Sequence, residues 1–196
     1  MRLEPPATIH DAAAQAFAAV EAQMGFVPNS LRAMAHRPAV LQAFMGLGAA
    51  VMGPGGVIAP SLKQMIAYVA SLSSGCRYCQ AHTAHQAHRV GLEAERLAAL
   101  WSFEDSPLFS DAERAALRLA MLAAQTPNAV EDEDFAAAKA HYDDEALAEI
   151  LSVIAFFGFL NRWNDTLATP LEDAPLAFAQ LELSPSGWTS GKHAAP

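Results

Sequence analysis

Ser74-Gly75 separates two segments that each read as helix, and this break restricts the possible folds more than any other feature of the chain. Before it, from Ser61 onward, Leu62, Met65, Ile66, Val69 and Leu72 recur at the spacing of one apolar helical face. After it, Cys76 to Val90 reads as a second helix, closed by Gly91 in the position where helices commonly end. A connection of about two residues leaves the pair no packing except antiparallel.

Most of the remaining chain keeps the helical period. Ala13, Phe17, Val20 and Met24 line one face of a segment from Ala12 to Met24, and Asn29 or Ser30 caps a short helix through His36. Pro38 opens a helix with Val40, Leu41, Phe44, Met45 and Leu47 toward the core, which stops at the loop Met52-Gly53-Pro54-Gly55-Gly56. Further helices are expected from Ser110 to Gln125, with the capping box Ser110-x-x-Glu113, from Glu131 to His141, and from Asp144 to about Leu167. No run alternates as a strand. The fold class is therefore all-α, with about seven to nine helices at ordinary lengths. They form one domain over 1–184, followed by a tail over 185–196 whose small and polar composition predicts flexibility.

Hydrophobic residues make up 53% of the 196 positions and charged residues 17%, which is apolar for a small monomer and points to a homo-oligomer. A formal net charge of -9 and a pI near 5.1 argue against nucleic acid or an anionic membrane as partner. No apolar h-region follows Arg2, and the apolar run Val153 to Leu160 is too short to cross a bilayer, so a cytoplasmic location is expected. In that reducing compartment the only two cysteines, Cys76 and Cys79, are more readily catalytic, redox-sensing or metal-binding than a permanent disulfide.

The two thiols sit at i and i+3 on the first turn of one helix, close enough to form and break a disulfide. The positive end of the helix dipole favours thiolate there. Cys79 and His82 share a face, and counting back from the turn places Gln64 opposite roughly residues 82 to 86, where His82 and His85 lie. Tyr78 adds a phenol between the thiols. A thiolate attacking a peroxide needs a base for its proton and an acid for the leaving alkoxide, and imidazole suits both. The second thiol then resolves the sulfenic acid as a disulfide. Plainer readings stand beside these. Free cysteines are often small buried hydrophobes, His85 and His88 fit a solvated face, and Ser61-x-x-Gln64 is itself a capping-box pattern. His36 fits a helix C-terminus, and Asn161, Arg162, Asn164 and Asp165 fit a buried polar cluster or a subunit contact. Zinc on Cys76, Cys79, His82 and His85 is disfavoured, because ligands three apart drift by about 60° per step around one helix.

Gly75-Cys76-Arg77-Tyr78-Cys79-Gln80-Ala81-His82 resembles the signature of the carboxymuconolactone decarboxylase-like superfamily, in its AhpD-like, peroxidase-related branch. Gly25-Phe26-Val27-Pro28-Asn29-Ser30-Leu31-Arg32, Ala35-His36-Arg37-Pro38 and Leu160-Asn161-Arg162-Trp163-Asn164-Asp165 are similar to other segments of that branch. The resemblance implies a helical fold around the hairpin, assembly as a homo-oligomer, and reduction of organic hydroperoxides without haem, flavin or metal. It also implies recycling by a thioredoxin-like or lipoyl-bearing reductant. Cys79 would attack and Cys76 would resolve. The family's relay pairs a Glu with a His, at positions held here by Gln64 and Thr83. Either His82 has taken over the proton transfer or the relay is impaired; His82 is the reading adopted. Two alternatives are a redox-sensing or scaffolding oligomer without turnover, and lactone decarboxylation, against which the dithiol counts.

Overall fold

The computed structural model describes residues 1–194, and Ala195 and Pro196, the end of the expected flexible tail, lie outside the described residues. Among the described residues ten α-helices follow one another: α1 (Asp11–Met24), α2 (Asn29–Met34), α3 (Pro38–Met52), α4 (Pro60–Ser73), α5 (Arg77–Arg89), α6 (Ala94–Ala99), α7 (Asp111–Ala123), α8 (Asp132–Lys139), α9 (Asp144–Leu167) and α10 (Asp173–Glu182). Short 3-10 turns cover Leu100–Ser102, Ser184–Ser186 and Gly191–His193. No strand occurs among the described residues. The count exceeds seven to nine because α6 and α10 carry no legible stripe. One is only six residues long, and the other holds Pro175 in its first turn, where the missing N–H costs nothing.

The hairpin forms as its turn chemistry requires. Gly75 takes φ +73, the left-handed conformation that ends α4. The Gly75 N–H then donates to the Leu72 carbonyl and the Cys76 N–H to the Ser71 carbonyl, the paired bonds of a Schellman motif. Cys76 is thus held by the end of α4 while serving as the N-cap of α5. Helix α5 begins at Arg77, one residue later than the sequence predicts, so Cys76 lies at the boundary and only Cys79 within the first turn. Ala67 and Ala70 on α4 and Ala81, Ala84 and Ala87 on α5 are fully buried, so the two backbones approach closely. The expected capping box at Ser61-x-x-Gln64 does not form, because Ala59 is the N-cap and Pro60 the first helical residue. The box at Ser110 and Glu113 does form.

Among the described residues, only helix α9 is long and apolar enough to cross a membrane by length and composition. It serves as a core helix, packed against α3, α4 and α5 with Ile150 and Val153 fully buried. Ala168, at φ 51, ends it, and the turn sends 169–172 back over the start of α5. The described part of the segment after Ser184 folds back as well. Trp188 and His193 are buried, the Leu171 N–H donates to the His193 carbonyl, and Lys192 pairs with Asp165 at 2.7 Å. Two anchoring side chains outweigh the polar composition around them.

Candidate functional site

Cys76 and Cys79 are both reduced and buried. They share a hydrogen bond, and their surroundings divide them. A hydrogen bond with Cys79 lowers the pKa of Cys76 against the opposing effects of burial and of the Asp165 charge, helped by the N–H groups of Cys79 and Tyr78 at the helix start. Burial raises Cys79 well above its ordinary value, and the hydrogen bond with Cys76 adds to that. The Asn164 amide donates to the Cys79 sulfur at 3.5 Å, a weaker contrary effect. The readier thiolate is therefore Cys76, the residue nearest the helix terminus, whereas the resemblance implies attack by Cys79.

His82 is anchored by a residue that the sequence reading missed. Its Nε2 lies 2.6 Å from Glu172 Oε2. The other carboxylate oxygen accepts the Tyr78 hydroxyl at 2.8 Å and the Asn29 backbone N–H. The imidazole stacks on the Tyr78 ring with centroids 4.3 Å apart and meets the edge of Phe26. Burial pushes the Glu172 carboxyl up, but the His82 charge and the hydrogen bonds from His82 and Asn29 bring it below the usual carboxylate range. Glu172 lies ninety residues from His82. Its only local signal is its place before α10, whose N-cap it occupies while its side chain turns to α5. No hydrogen bond joins His82 to either thiol among the described residues.

The remaining candidates separate. Tyr78 is both packed and a donor, and burial raises its hydroxyl well above the ordinary value. The Thr83 hydroxyl bonds back to the carbonyls of Cys79 and Gln80, so it faces its own helix. Gln64 is half-buried and makes no hydrogen bond to His82 or His85 among the described residues. His85 lies against Phe178, and burial lowers its pKa, with Arg89 adding to the effect. The four-ligand zinc set from a single helix is not assembled, since Glu172 holds His82. A different group converges on the thiols: Asp165 of α9 and His193 of the folded-back tail bring their ligand atoms within 4.8 Å of one another and of Cys76. Asn164 and Asp165, expected to be structural, thus border the dithiol, while Arg162 reaches away to Thr126.

The carboxymuconolactone decarboxylase family matches residues 38–121, from the start of α3 into α7 and across both cysteines. The chain belongs to the carboxymuconolactone decarboxylase family. It is 35% identical over 98 residues to the uncharacterized protein YnjA of Escherichia coli (strain K12), an alignment covering 50% of this chain and 53% of YnjA. The chain thus matches about half the length of that curated relative. Among solved structures it is similar to the debrominase Bmp8 in its apo form, with TM-score 0.83 and 34% identity over 92% of this chain and 97% of that one. Bmp8 has also been solved as a cysteine-to-alanine variant with 2,3,4-tribromopyrrole. An uncharacterized peroxidase-related protein from Ralstonia eutropha JMP134, with an alkylhydroperoxidase AhpD core, matches at TM-score 0.80 and 26% identity over 91% and 94% of the two chains. The fold of this family member is AhpD-like.

Proposed function

We propose that the protein is a dithiol-dependent reductase of organic hydroperoxides. The observation that carries the reading is the pair of reduced, buried thiols at the start of α5, Cys76 lowered in pKa by its hydrogen bond with Cys79 and Cys79 raised by burial. Cys76 thiolate attacks the terminal peroxide oxygen, the O–O bond breaks, and the alkoxide leaves as alcohol on gaining a proton. Cys79 then attacks the Cys76 sulfenic acid, releasing water and closing the disulfide. One hydroperoxide becomes alcohol and water while two thiols become a disulfide, which a thioredoxin-like or lipoyl dithiol reduces. This order of attack reverses the one the resemblance implies. His82, one helical turn from Cys79 and held by Glu172, relays the Cys79 proton to the departing hydroxide.

A second reading is favoured by the 34% identity to Bmp8 over nearly its whole length. The same dithiol would replace the bromine of a brominated aromatic ring by hydrogen, with the disulfide, bromide and a proton as the other products. The reduced protein should be offered cumene hydroperoxide and, separately, 2,3,4-tribromopyrrole, with a dithiol recycling system. Multiple turnovers of peroxide, abolished in Cys76→Ser, with sulfenate trapped on Cys76 in Cys79→Ser, are the expected result. Bromide release without peroxide turnover would move the assignment to debromination. A single oxidation with either compound would leave a redox-sensing scaffold.

A further inference from the structure

His193 is an imidazole placed beside Cys76, and its surroundings define its tautomer. Its Nδ1 lies 2.8 Å from the Thr169 carbonyl, which can only accept, so Nδ1 carries the proton. In the neutral ring Nε2 is then a lone pair. It is buried and has no hydrogen-bond partner. Asp165 Oδ1 stands 3.5 Å from it, and the Cys76 sulfur completes a cluster whose three ligand atoms lie within 4.8 Å of one another. Other unpartnered polar atoms lie buried on the same segments: both amide atoms of Asn161, Asn164 Oδ1 and Thr169 Oγ1. A buried acceptor left bare beside a thiol is costly unless a proton reaches it during function.

Resting on the dithiol-reductase reading, we infer that His193 is the base that takes the Cys76 thiol proton, and that Asp165 is the positioning carboxylate that stabilises the imidazolium. The proton moves from Cys76 Sγ to His193 Nε2, leaving thiolate. When the thiolate attacks and the O–O bond breaks, the imidazolium returns that proton to the alkoxide, so no proton is lost from the cycle. The two thiols then have separate imidazoles, His193 for Cys76 and His82 for Cys79. The groups facing His193 suit the task. Burial, the largest effect, lowers its pKa and Lys192 acts in the same direction, which favours the neutral, accepting form, while the Thr169 carbonyl and Asp165 favour the protonated one. Tyr78, its ring 6.0 Å away, keeps its proton and supplies no competing charge. The C-terminal segment is on this reading part of the catalytic apparatus.

The test is the pH profile of Cys76 alkylation by iodoacetamide in Cys79→Ser, where Cys76 is the only thiol. It requires neither hydroperoxide nor bromopyrrole turnover, so it can fail while the proposed activity stands, or hold while that activity fails. Adding His193→Ala should move the midpoint upward by about one unit, slowing alkylation about tenfold at neutral pH. Free imidazole should restore part of the rate, and His193→Gln, which fills the space without supplying a base, should restore none. A faster reaction at every pH with an unmoved midpoint would mean that the tail only shields Cys76, and would overturn the inference. Sensitivity of the parent profile to a chelator would overturn it in favour of a metal held by the same three side chains. In the unmutated protein, the His193 imidazole nitrogens should titrate at higher pH in the reduced than in the disulfide form; equal midpoints would also overturn it.

Discussion

Glu172 gathers three donors on one buried carboxylate: His82 on one oxygen, Tyr78 and the Asn29 N–H on the other. It thereby ties the loop after α9, the start of α2 and the face of α5 that carries Tyr78 and His82 into one polar knot. Because its native pKa lies below the ordinary range, its stabilisation is present above the unfolded value and is lost as pH falls through the native one. Glu172→Gln should cost about 1–3 kcal/mol at neutral pH, since it leaves buried partners poorly matched. The gap from wild type should close as the medium is acidified through the carboxylate range, as measured by denaturant unfolding at a series of pH values. At this scale the sequence reading found the thiols, His82 and Tyr78, all within seven residues. It did not find Glu172 or His193, because nothing in a linear pattern marks a partner brought in from another segment.

At the scale of elements, the α4–α5 hairpin depends on the backbone of a single residue. A Cβ on Gly75 would meet no atom within 4 Å, so the cost of Gly75→Ala comes from its φ of +73 alone. About 1–2 kcal/mol is expected from thermal or denaturant unfolding. A second tie holds the α3–α4 loop to α9. Buried Lys63 pairs with Glu149 and donates to the Val51 carbonyl, while Glu149 accepts the N–H groups of Val57 and Ile58. Lys63→Met removes one partner from a pair largely shut away from water, and a loss of about 3–5 kcal/mol in unfolding free energy should follow. The sequence shows the glycines and prolines of that loop, but not that a lysine on an apolar helix holds it in place.

Across the whole molecule, Val40, Leu47, Phe44, Phe156 and Phe159 line an apolar groove of about 560 Å³ between α3 and α9. With Leu47 and Phe159 exposed in the isolated chain, this face fits the proposal that the protein associates with further copies of itself. Leu47→Glu should lower the sedimenting mass without reducing the helical circular dichroism. An unchanged mass in the variant would place any subunit contact elsewhere.

The helical class, the hairpin and the thiol pair were determined by the sequence alone, because each rests on local chemistry: a repeating apolar face, a left-handed glycine, and cysteines a turn apart on one helix. What stands beside those thiols was decided only by the tertiary structure. The left-handed turn at Ala168 swings Glu172 onto His82, and burial of Trp188 and His193 brings the segment after Ser184 back to Cys76. The division between Cys76, lowered by its hydrogen bond with Cys79, and Cys79, raised by burial, arises in the same way. Depth of burial and the direction of one shared hydrogen bond are properties of packing, and no spacing of residues encodes them.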